Sequence, residues 1–112
     1  MDIKINNLTW TIREVETRST ELVVNGNQCF GVCKHYTQEI MIDETLKPDA
    51  KLQVLKHELT HAFIRCCLLD YQEHYTEEDM CEFVALYSEQ INNIAKEYFN
   101  GTLEKYIKEY MG

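Results

Sequence analysis

The hydrophobic period of this chain changes once, near Pro48, and that change limits the fold more than any other feature. Before it, apolar residues come in short alternating runs. Leu8, Trp10 and Ile12 are separated by threonines, which is the two-residue period of a half-buried strand, and Val15 falls just out of phase. Thr20 to Val24 is a second β-rich run that ends at Asn25-Gly26, a dipeptide tolerant of the positive φ angles of a tight hairpin turn, so Cys29 to Tyr36 is expected to return as its partner. Glu39 to Asp43 follows a tight polar connection at Tyr36 to Gln38 and places Ile40 and Ile42 on one side. Residues 1–44 therefore predict a sheet of three or four mostly antiparallel strands. After Pro48 the spacing becomes three and four. Strands and helices segregated in this way define an α+β domain.

Pro48 suits a first helical position, where its missing N–H would be unpaired in any case, and nothing breaks a helix over 48–69. At roughly 100° per residue, Leu55, Leu59, Ala62, Cys66 and Leu69 lie opposite His57, with Leu52 and Phe63 widening the stripe. Val54, Ile64 and Leu68 form a smaller set nearer His57 and His61, so this helix is expected to be covered on both sides. Thr76 reads as an N-cap with Asp79 three residues on. A second helix over 77–99 carries the stripe Met80, Val84, Tyr87, Ile91, Ile94 and Tyr98. Asn100-Gly101 predicts its end, and 102–111 then forms a short C-terminal helix or tail.

With 112 residues, the chain has room for one domain, 1–112. Nineteen acidic residues against eleven basic ones give a formal charge of -8, which repels phosphate backbones and anionic headgroups. Neither nucleic acid nor a membrane is an expected partner. The apolar runs fall well short of the ~20 residues that cross a bilayer, and the opening Met-Asp-Ile-Lys-Ile lacks the apolar core of a signal peptide, so a cytoplasmic protein is expected. Five cysteines then read as reduced, mostly buried thiols. Cys29-x-x-x-Cys33 has no second pair at zinc-ribbon spacing.

The chemistry concentrates in His57-Glu58-Leu59-Thr60-His61, an H-E-x-x-H motif in mid-helix. Histidines four residues apart share a face, so both imidazoles can reach one Zn2+ ion. Glu58, turned by roughly 100°, can reach a water in the open coordination position and act as its general base. His35 and His74 have no such partnership and read as ordinary loop or strand-edge residues.

A hydrolytic zinc site wants a third protein ligand, and the second helix offers Glu77, Glu78 and Glu82. Acids in a first turn also simply favour the positive end of the helix dipole. Glu82, a turn further in, is the other candidate ligand or a group that orients a ligand histidine. Helix geometry sets Cys66 and Cys67 away from both histidines. A Cys81 thiolate would instead close the site.

Leu55-Lys56-His57-Glu58-Leu59-Thr60-His61-Ala62-Phe63 together with Glu78-x-x-Cys81-Glu82-x-x-Ala85 resembles the gluzincin metallopeptidases, and more narrowly the small ImmA/IrrE-type zincin-like proteins of bacteria, phages and mobile elements. The resemblance implies a minimal zincin-like domain with Glu78 as third ligand and Glu82 beside it. Cys81 stands where that family usually has Ala, and Glu82 where it has Asn or Asp. Gly31-Val32-Cys33 followed by Gln38 to Ile42 resembles the edge hairpin that lines such sites. The implied activity is zinc-dependent hydrolysis of a peptide bond in a protein or peptide substrate, such as a regulatory protein of a mobile element, and Glu39 to Asp43 is expected to offer a sheet edge to it. The alternative is a non-catalytic, zinc-stabilised module that binds a partner protein.

Overall fold

Asparagine does much of the local work at the start of the chain. A computed structural model describes the backbone of residues 1–67 and 74–110 and the side chains of 1–67 and 74–101. β1 (Asp2–Ile5) and β2 (Leu8–Val15) form a hairpin whose turn residues, Asn6 and Asn7, both have positive φ, 50° and 69°. Asparagine tolerates that region better than other side chains. Asn25 and Gly26, at 51° and 79°, likewise turn β3 (Val23–Val24) into β4 (Asn27–Gln28), as the sequence predicts. β5 (Gly31–Lys34) and β6 (Glu39–Asp43) form a further antiparallel pair.

The main sheet has the order β1-β2-β6-β5, with β2 and β6 parallel and the other two pairings antiparallel. Of the expected return of Cys29 to Tyr36 onto Thr20 to Val24 only the first residue follows, the Cys29 N–H donating to the Leu22 carbonyl at 2.8 Å. Thr20–Leu22 is a 3-10 turn, Val23 and Val24 pair only with Gln28 and Asn27, and the chain then leaves to pair with β6. The Asp43 N–H donates to the Phe30 carbonyl at 2.9 Å, extending that ladder. Pairing with β6 wins because it joins β5 to a strand whose Ile40, Met41 and Ile42 are all fully buried.

The sheet has two apolar faces, which explains Val15. Ile3, Ile5, Trp10, Ile12, Ile40 and Ile42 face the helices, whereas Val15, Val32 and Met41 face the other way and are closed over by Leu22 of the 3-10 turn. A strand buried on both faces loses strict alternation, so the apparent slip in phase is a change of face.

α1 (Pro48–Cys67) lays Leu55, Leu59, Ala62 and Phe63 on the sheet. The expected continuation through Leu68 and Leu69 lies outside the described residues. α2 (Glu77–Tyr110) opens with a capping box: the Asp79 N–H donates to the Thr76 hydroxyl oxygen and the Thr76 N–H to the Asp79 carboxylate. It packs on α1 through Phe83, Tyr87, Ile91 and Ala95, and Phe63 meets Tyr87 at a ring-centroid distance of 5.8 Å. Phe83 holds the buried position in place of Val84, which is 57% exposed. Glu14 of β2 clips the layers together by accepting from Lys51 of α1 and from the Tyr98 hydroxyl of α2.

α2 does not stop at Asn100-Gly101, and 102–110 continue it instead of forming a third helix. The glycine stop preference is worth only about 1 kcal/mol, and propagation between helix-forming segments on either side outweighs it. A Cβ at Gly101 would meet nothing within 4 Å. Gly101→Ala is therefore expected to stabilise the chain by about 1 kcal/mol, read as a higher urea midpoint at unchanged slope. Among the described residues no helix is long and apolar enough to cross a membrane.

Candidate metal centre

α1 carries the site. Leu59 is buried in the core and the Thr60 hydroxyl donates back to the Lys56 carbonyl at 2.7 Å, so the helix frame around the motif is satisfied from within. His57 and His61 are then one turn apart on the exposed side of α1, their ring centroids 4.9 Å apart and their planes at 75°. Glu58 turns inward and is 6% exposed. One ligand atom from each of His57, Glu58 and His61 lies within 4.8 Å of the others, a group that can hold a metal ion.

Burial of Glu58 depends on a residue with no side chain. A Cβ on Gly31 of β5 would sit 2.5 Å from Val54 Cγ1 and 3.1 Å from Glu58 Cγ, so only glycine lets α1 lie this close to the sheet edge. Gly31 does not have positive φ, and its requirement is one of space. Glu58 Oε2 is buried with no hydrogen-bond partner. Burial raises the Glu58 carboxyl above its ordinary range, opposed by the nearby charges of His61 and His57. A buried carboxylate oxygen without a partner is costly, and it fits a group whose partner is a metal-bound or substrate-delivered donor.

Between β5 and α1 runs a cleft of about 550 Å³ lined by His57, Glu58 and His61. Val24, Cys29, Phe30 and Val54 also line it, as do Cys33 and His35. Cys33 stays a thiol: burial, then the charges of Glu58 and Cys66, push it up to about 12 against the pull of Arg65. The hairpin of β5 and β6 thus flanks the motif. β6, however, is an interior strand between β2 and β5, so Glu39 to Asp43 cannot offer a sheet edge, and the edge beside the site is β5.

Glu78 and Glu82 are both exposed on α2, and neither joins the His57, Glu58 and His61 group. At roughly 100° per residue they lie about 160° around α2 from the stripe that packs on α1. Cys81 is exposed, and Cys66 and Cys67 are half-buried against the core. Sequence reasoning passed over His35, Phe30 and Val24 as site residues. The only signal that could have found them was the Asn25-Gly26 turn, which folds the residues on both sides of it toward one end of β5. No protein-family model, curated protein or solved structure matches the chain.

Proposed function

We propose that this protein is a zinc-dependent metallopeptidase acting on a protein or peptide. The observation that carries the reading is the combination at one place of two histidines a turn apart, a buried glutamate with an unpartnered oxygen, and a cleft bounded by an open strand edge. His57 and His61 supply neutral nitrogen donors of the kind zinc takes. A zinc ion held by these residues would supply an acidified water and a Lewis acid for the scissile carbonyl. Glu58 accepts the proton of the attacking water and passes it to the departing amine. The outer edge of β5 hydrogen-bonds an extended substrate as an added strand.

Glu78 completes the ligand set in this reading. Metal binding couples to local folding when a site is only partly formed without metal, and the first turn of α2 must then turn toward α1. The resemblance to ImmA/IrrE-type proteins makes regulatory proteins of mobile elements the first substrates to try.

The test is the zinc-to-protein ratio of the purified chain. About one zinc per chain is expected for wild type, lost in His57→Ala and Glu78→Gln and retained in Glu82→Gln. A wild type that stays metal-free after incubation with zinc sinks the metallopeptidase reading.

A further inference from the structure

Large apolar side chains left in water are informative when they gather at one cavity. Val24 is 41% exposed and Phe30 64% exposed, and both line the cleft that holds His57, Glu58 and His61. Resting on the metallopeptidase reading, we infer that this end of the cleft is a specificity pocket for a large apolar side chain of an extended peptide substrate.

The fold places the pocket where such a side chain arrives. Gly31 begins β5 directly beneath Glu58 and Val54, so Phe30 sits one residue before the point where Glu58 meets the strand. Asn25-Gly26 folds Val24 back to the same end. A peptide extended along the β5 edge advances about 3.3 Å per residue, so a residue flanking the bond attacked at Glu58 reaches Val24 and Phe30. Cys29 and Val54 complete an apolar wall. Among the described residues lining the cleft there is no Lys, Arg or Asp, and Glu58 is the only carboxylate. A charged substrate side chain would lose water beside Val24, Cys29, Phe30 and Val54 without meeting an opposite charge there, whereas an apolar one covers the Phe30 ring and leaves water with it.

Two hydroxamates test this on the full, zinc-loaded chain. Acetohydroxamate and 3-phenylpropionohydroxamate chelate zinc through the same group and differ by one benzyl. Titration calorimetry is expected to show the benzyl compound binding wild type about tenfold tighter or more, a step of about 1.4 kcal/mol. In Val24→Ser/Phe30→Ser that gap closes, with zinc content, melting temperature and acetohydroxamate affinity unchanged. Both side chains are substantially exposed, so the core does not depend on them. Equal affinities in wild type, or a gap that survives the double substitution, overturn the pocket while leaving the zinc site standing. Zinc-free wild type, seen before any hydroxamate is added, is the separate failure of the metallopeptidase reading and removes the pocket with it.

Discussion

Glu58→Gln is expected to keep its zinc and to lose cleavage by a factor of about 10²–10⁴, the range that a positioned general base contributes. The amide has nearly the volume of the carboxylate, so Val54 and Gly31 still pack around it, but it cannot accept the water's proton. His57 and His61, the proposed metal ligands, pair with each other on the exposed side of α1 and are not disturbed. Equal zinc content with undiminished biological activity would establish the non-catalytic module instead. The same position has an opposite effect on stability. Glu58 is 6% exposed, and one of its oxygens has no partner. Glu58→Leu removes that unsatisfied group while keeping an apolar contact to Val54, and in metal-free buffer it is expected to stabilise the fold by about 1–3 kcal/mol. A chemical-denaturation midpoint below that of wild type would show that Glu58 is a structural residue whose partner is supplied elsewhere. Gain of stability with loss of turnover is the pattern of a group retained for function against the preference of the core.

What the sequence makes legible here follows from how locally each feature is determined. The Thr76 and Asp79 capping box, the Asn25-Gly26 turn and the paired histidines each depend on residues within four positions, and each has the geometry its spacing predicts. The pairing of β2 with β6 depends on residues 28 positions apart, such as Ile12 with Ile40, and no local pattern specifies it. β1 escapes notice because Ile3 and Ile5 are too few to establish a period, although both are buried in the core. The candidate site divides in the same way. His57, Glu58 and His61 are given by one helix, whereas the wall opposite them is set by which strand occupies the sheet edge. Once β5 takes that edge, Gly31, Phe30 and His35 belong to the cleft and Glu39 to Asp43 does not. α2 shows the converse: Glu78 and Glu82 lie about 160° from the apolar stripe whether Phe83 or Val84 is counted in it, so the spacing alone already sets them on the far side of the helix.

Gly31→Ala tests whether the close approach of β5 and α1 builds the site, and it meets far tighter contacts than a methyl added at Gly26 or Gly101. The new Cβ would lie 2.5 Å from Val54 Cγ1 and 3.1 Å from Glu58 Cγ, with the Met41 carbonyl oxygen at 3.5 Å. The first distance cannot persist, and the Met41 carbonyl belongs to an interior strand that cannot retreat. α1 must therefore lift or Val54 must leave its place. Overpacking of this kind costs about 1–3 kcal/mol, measured as a lower denaturation midpoint. The consequences for metal and for turnover separate. His57 and His61 ride together on α1, so zinc content survives a shift in which α2, packed on α1, moves with it. Glu58 and the β5 edge are parted, and a misplacement of about 1 Å costs roughly 10²-fold in rate. Val54→Ala removes the atom struck first. The double substitution Gly31→Ala/Val54→Ala is accordingly expected to be less destabilised than the sum of its parts by about 1 kcal/mol, and to recover part of the lost cleavage. Additive losses in that cycle would show that Gly31 acts through something other than its contact with α1, and would withdraw the account of why Glu58 is buried.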